Sequence, residues 1–124
     1  MKVLTIKEPW ASLIVNGYKV YEFRSWKTNY RGKFLIHASK AVDKKNMDRF
    51  KSYDIKINPG HILGEAEITD CVYSDNNFHK KLLKLDKEVY KNSINLYALK
   101  LENVKKYKKQ IEVKGKLGFW NYNK

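Results

Sequence analysis

Residues Pro9–Lys40, PWASLIVNGYKVYEFRSWKTNYRGKFLIHASK, constrain the fold more than any other stretch, because two periodicities follow each other with a glycine between. Pro9 suits the start of a helix, where its missing N–H costs nothing. Trp10, Leu13 and Ile14 recur at helical spacing, and Gly17 is a natural helix stop. The pattern then changes to period two. Along Lys19–Trp26, alternation puts Tyr21 and Phe23 on one face, and Val20, Glu22, Arg24 and Trp26 on the other. A carboxylate, a guanidinium and an indole are thus expected on one strand face. A basic loop, Lys27–Gly32, leads to a second strand over Lys33–Ser39. Phe34, Ile36 and Ala38 form its apolar face, and Leu35, His37 and Ser39 the other.

The remaining chain continues this alternation of strands and helices. Met1–Ile6 reads as a first strand. Asp43 is placed to cap a helix to about Tyr53, with Met47 and Phe50 on its buried side. His61–Tyr73 reads as a long strand in which Gly64 marks a bulge or a close backbone approach. Asp75 to about Lys91 has a helical stripe of Phe78, Leu82, Leu85 and Val89. Ile94–Asn103 returns as a strand, KKYKK (105–109) as a basic connection, and a glycine-rich aromatic tail closes the chain. In that tail Trp120 reads as a plug over the core, with a cleft wall as the alternative. These elements make an α+β fold in one domain, 1–124, on a mixed, mostly antiparallel sheet that curls towards a small β-barrel with two or three flanking helices.

Charge narrows the partners. The net charge is +13, and residues 79–124 hold 13 of the 26 Lys/Arg but only 4 of the 13 Asp/Glu. Such an excess favours polyanions, since each neutralised phosphate releases counterions; a generally lysine-coated surface is the alternative cause. Cys71 is the single cysteine, so no internal disulfide can form, and a reducing, cytoplasmic setting is expected. No apolar run reaches the roughly 20 residues of a membrane span, and no signal-peptide pattern opens the chain. His37, His61 and His79 are dispersed, without metal-ligand spacing. Neither a phosphate-binding glycine loop nor a dinucleotide fingerprint occurs, so no metal or cofactor is expected.

The combination Pro9-Trp10, G-x-K-x-x-E-x-R at Gly17–Arg24, Arg31-Gly32 and Ile36-His37-Ala38-Ser39 closely resembles the ASCH domain of the PUA-like superfamily. Gly60–Cys71 and GKLGFWNY (115–122) resemble later parts of such domains. The resemblance implies the PUA-like barrel, and RNA or a nucleotide-like ligand bound in a basic cleft beside residues 19–26, with DNA as a competitor. Arg24, Arg31 and Lys40 are expected on phosphate, Lys19 and Glu22 at the base or reacting group, and Trp26 as a stacking surface. Lys33, His37 and Ser39 complete the expected ligand contacts, although a lone strand histidine is more often a hydrogen-bonded core residue. Some small ASCH-like enzymes remove an acetyl group from acetylcytidine with a lysine, a threonine and a glutamate. Lys19 matches the lysine, but Glu22 stands at the threonine's place and the catalytic glutamate has no match. An enzyme acting on RNA or a modified nucleoside, with Lys19 and Glu22 as its catalytic pair, is therefore one alternative to binding. An interaction module of the transcription-coactivator type is another. Oligomeric state is not legible.

Overall fold

The computed structural model describes residues 1–123. Six strands form one mixed sheet: β1 (Lys2–Glu8), β2 (Tyr21–Arg24), β3 (Gly32–Val42), β4 (His61–Tyr73), β5 (Tyr97–Glu112) and β6 (Phe119–Asn121). Their spatial order is β2-β5-β4-β3-β1-β6. β1 and β3 run parallel, with Val3 opposite Leu35 and Ile6 opposite Ala38, and the other neighbours are antiparallel. The expected closure into a barrel is not made. β2 and β6 end the ladder, and the Arg24 side chain, not backbone pairing, links β2 to β1.

The alternation of β3 sorts its residues as the sequence indicates. Phe34, Ile36 and Ala38 enter the main core with Leu4, Ile6, Ile14 and Leu99. Leu35 faces the other way and packs with Val3 and Ile62, beneath Ile111, Trp120 and Tyr122. Trp120 therefore covers the second sheet face, as expected of a plug. Its Nε1–H donates to Thr5 Oγ1 at 2.8 Å.

β4 cannot keep one parity along its length. Ile62 lies in one core, whereas Leu63, Ala66 and Ile68 lie in the other. The register shifts that allow this occur between Ile62 and Gly64 against β5, and between Ile36 and His37 on the β3 side. Gly64 serves both roles expected of it. It sits at the bulge, and a Cβ there would overlap the Lys105 carbonyl oxygen.

Four α-helices occur among the described residues: α1 (Trp10–Val15), α2 (Lys44–Met47), α3 (Asn76–Leu85) and α4 (Lys87–Tyr90). α1 buries Leu13 and Ile14 and ends at Gly17, whose φ is +85°; the N–H groups of Tyr18 and Lys19 return to the Leu13 carbonyl. Its first turn is stabilised by the buried Glu8 carboxylate, which accepts from Ser12 N (2.9 Å), Ser12 Oγ (2.7 Å) and Asn58 N (2.9 Å). A second, smaller core joins Leu13 of α1 to Phe50, Leu82, Val89 and Tyr90, with Tyr21 and Phe23 of β2 packed against it.

Three expected elements differ. The helix from Asp43 stops at Met47 and continues only as a 3-10 turn, Asp48–Phe50. Asp43 accepts from the Trp10 and Asn46 side chains and makes no backbone cap, so the first turn lacks that support. The helix expected to Lys91 breaks at Asp86, whose extended backbone lets its carboxylate cap α4 at Val89 N and accept from Tyr53 Oη. That second partnership also helps push the Tyr53 hydroxyl up to about 12, after burial. Finally, KKYKK is not a connection. β5 runs through it, because β4 is long enough to pair with it as far as Glu112.

Candidate functional site

β2 is shorter than the expected strand, so Lys19 and Trp26 lie just outside it, at the end of the α1–β2 turn and in the loop after β2. The three charged residues of the motif still converge. Lys19 Nζ lies 2.7 Å from Glu22 Oε1, and Arg24 Nε donates to Glu22 Oε2 at 3.1 Å. Arg24 Nη2 also donates to the Thr5 carbonyl at 2.9 Å. Glu22 and Lys19 are buried, at 6% and 4% exposure. Burial alone would raise the Glu22 carboxyl, but the Lys19 ammonium and Arg24 guanidinium outweigh it and hold the group below the usual carboxylate range. Glu22 is thus an anion with both oxygens occupied. Lys19 is further enclosed by the Trp10 and Phe23 rings, 5.5 and 5.1 Å from Nζ.

Two adjoining cavities lie over this cluster, and a third continues from the second. One of about 220 Å³ lies above Trp10, Lys19, Glu22 and Phe23, towards Arg49 and Ser93. The next, of about 430 Å³, shares Trp10, Glu22 and Phe23 with it and adds Thr5, Arg24, Trp26, Ser39 and Leu117. A third, of about 330 Å³, shares Thr5, Ser39 and Leu117 with the second and is lined by His37, Lys40, Lys114 and Lys116. Together they form one cleft along the C-terminal ends of β1 and β3. Trp26 is 38% exposed at its rim, with the Arg24 guanidinium carbon 5.9 Å from its ring and Phe119 behind it at 5.7 Å. Arg24 is therefore held from below by Glu22 and Thr5, while its remaining N–H groups stand beside an open indole.

Of the residues singled out from sequence, Lys19, Glu22, Arg24, Trp26, Ser39 and Lys40 border this cleft. Arg31 and Lys33 do not. They sit around the N-terminal end of β3, where Arg31 bonds the Thr28 and Tyr30 carbonyls and Lys33 pairs with Glu65 at 3.2 Å. β3 is eleven residues long, so its two ends cannot serve one small ligand. His37 touches the third cavity but offers it no unoccupied ring nitrogen. Nε2 lies 2.7 Å from the Val113 carbonyl, which only accepts, so Nε2 carries the proton. Nδ1 then accepts from Thr5 Oγ1 at 3.3 Å, and Thr5 accepts from Trp120. Burial pushes the imidazole's pKa down, although the Val113 carbonyl opposes this. His37 is a neutral, hydrogen-bonded core residue.

The sequence reading gave no cleft role to several contributors. Trp10, read there as core, is half-buried; it forms a wall of two cavities, edge-on to Phe50 at 5.3 Å. Arg49 stacks over Trp10 at 5.8 Å and reaches Glu88. Lys114 and Leu117 arrive on the β5–β6 connector. Proline-tryptophan at a helix start could have drawn attention to Trp10, but no local pattern marks the others. Among the described residues, no three His, Cys, Asp or Glu side chains gather as metal ligands, and no helix is long and apolar enough to cross a membrane.

An α+β fold on one mixed sheet, with a basic, tryptophan-walled cleft at one end, defines the class of this domain. The particular family is given by the sequence match: residues 4–120 match the ASCH domain, and the chain belongs to that family. The fold is similar to the crystal structure of ASCH from Zymomonas mobilis, with a TM-score of 0.59 at 17% identity, covering 90% of this chain and 72% of that one. It is likewise similar to that protein's S128A mutant, with a TM-score of 0.56 at 17% identity, covering 90% and 73%. A 36-residue segment, 29% of this chain, is 50% identical to human Activating signal cointegrator 1, but spans only 6% of that protein's length.

Proposed function

We propose that this ASCH domain binds single-stranded RNA, or a nucleotide-like ligand, in the cleft between α1, β2 and the ends of β1 and β3. One observation carries the reading: Arg24, oriented by Glu22 and the Thr5 carbonyl, lies beside exposed Trp26 at the edge of an open cavity. An aromatic face for a base and a fixed guanidinium for a phosphate or base edge are the two elements that single-strand recognition needs. The ASCH family membership and the +13 charge support the same class of ligand. DNA is expected to compete where the contacts are to base and phosphate only.

Titration of fluorescently labelled single-stranded RNA, from low to moderate salt, tests the reading. Trp26→Ala removes an exposed stacking surface, worth roughly 1–3 kcal/mol per base, and should weaken binding with little change in melting temperature. Absence of binding at low salt, or unchanged affinity in Trp26→Ala, removes the reading.

Hydrolysis of RNA or a modified nucleoside is the second reading, favoured by the contact of Lys19 with Glu22 at the cleft edge. Incubation with acetylcytidine or RNA followed by chromatography decides it: turnover that is lost in Lys19→Ala makes the domain an enzyme. An interaction role of the coactivator type rests on the short likeness to the human cointegrator alone.

A further inference from the structure

We infer that the cleft ends in a phosphate-binding compartment built by Lys40, Lys114 and Lys116 under an apolar lip, Leu117, so that the ligand is a phosphorylated nucleotide or RNA strand and not a free nucleoside. The inference rests on the reading that a base occupies the cleft beside Trp26, and adds the chemical class of what lies next to that base.

The compartment is the 330 Å³ cavity. It opens into the Arg24–Trp26 cavity through Thr5, Ser39 and Leu117, which line both. Its three lysines come from two separate segments, and among the described residues none of them pairs with a carboxylate. Lys19, Arg24 and Lys33 all do. Three exposed lysines lining one cavity, none of them neutralised by a carboxylate among the described residues, favour an anionic occupant.

The framework behind the lysines is fixed. Lys40 lays its aliphatic stem on Gly60, whose φ is +79° and whose missing side chain leaves the room. The connector is tied down at both ends. The Val113 carbonyl holds His37, and Thr5 N–H donates to the Gly118 carbonyl at 3.2 Å. Between these ties Gly115 lies flat on the His37 ring, where any Cβ would overlap it. Lys114, Lys116 and Leu117 are thereby carried along the rim. Leu117 is 95% exposed, although it lines both cavities. A large apolar side chain left uncovered at the junction of two compartments suits the sugar or base face of a ligand that spans them. A different lysine-lined cavity, of about 380 Å³ beside α1, lacks this arrangement. There Lys106 is engaged by Asn16 and Asn58 by Gln110, and it shares no lining residue with the cleft.

Uridine, uridine 5′-monophosphate and labelled oligouridylate are the probes, and Lys114→Gln/Lys116→Gln is compared with the equally charge-reducing pair Lys106→Gln/Lys108→Gln. Wild-type protein should hold the monophosphate roughly tenfold more tightly than uridine, and the Lys114/Lys116 pair should lose that advantage while uridine affinity stays unchanged. For oligouridylate the slope of log affinity against log salt should become shallower by about 1–2 in that pair, one per lost phosphate contact, with less than about a twofold affinity change in the control pair. Equal losses in both pairs would assign the effect to diffuse charge and overturn the compartment, as would a monophosphate bound no better than uridine. A loss confined to the Lys114/Lys116 pair with none in Trp26→Ala would keep the compartment and remove the base-binding reading instead.

Discussion

Replacing Glu22 by glutamine should destabilise the domain more than almost any other polar change. The substitution keeps the side-chain volume and removes the one charge that compensates both Lys19 and Arg24. Arg24 retains the Thr5 carbonyl and partial solvent access. Lys19 retains neither, because its side chain is 5% exposed and its ammonium is bounded by Trp10, Phe23 and Glu22. Breaking a buried pair by removing one partner typically costs about 3–5 kcal/mol, and the bordering cavity argues for the lower end, about 3 kcal/mol. At about 2.1 cal/mol/K per residue, unfolding 124 residues carries an entropy of roughly 0.26 kcal/mol/K, so the melting temperature should fall by roughly 11 °C. The acid dependence adds a second signature. The folded carboxyl titrates below the ordinary carboxylate value of 4.5. Its contribution is therefore present above that pH and lost as pH falls through the depressed folded value. The difference in stability between wild type and Glu22→Gln should be constant near neutrality and shrink below about pH 4.5. Adding Lys19→Met to Glu22→Gln should recover part of the loss by removing the stranded ammonium. Calorimetric or circular-dichroism melts from pH 7 to 3 make the comparison. A shift of less than about 2 °C, or no recovery in the double variant, would mean that solvent already screens the cluster and that Glu22 does not hold it together.

Gly64→Ala should cost about 1–3 kcal/mol or more in denaturant melts, because the added methyl meets backbone, not a flexible side chain; a neutral result would mean that the β4–β5 bulge yields easily. His37 should make the fold acid-sensitive: its pKa is depressed on folding, so stability is full above about 6.5 and declines below it, by at most about 1.4 kcal/mol per pH unit. Urea titrations at pH 7.5 and 5.5 should show a smaller decline in His37→Gln than in wild type, and equal declines would place the sensitivity elsewhere.

The periodicities of α1 and β3, the stop at Gly17 and the spacing of the charged motif at residues 19–24 were legible in the chain. Each depends on residues within a few positions of one another, where side-chain direction follows from backbone period alone. The motif could therefore be found, and its family with it. Tertiary structure decided which charged residues share a surface. Arg31 and Lys33 lie near Arg24 in sequence yet sit beyond the cleft, because the loop after β2 carries the chain to the N-terminal start of β3, and only the far end of that eleven-residue strand borders the cleft. Lys114, Lys116 and Leu117 lie about ninety positions from Arg24 and reach the cleft because β6 must return to pair with β1. The KKYKK segment had no local sign of being a strand, since the partner that makes it one is β4. His37 needed the same kind of information. Two hydrogen bonds, to Thr5 and Val113, turn a plausible acid–base group into a neutral part of the core, and neither partner is near it in the chain.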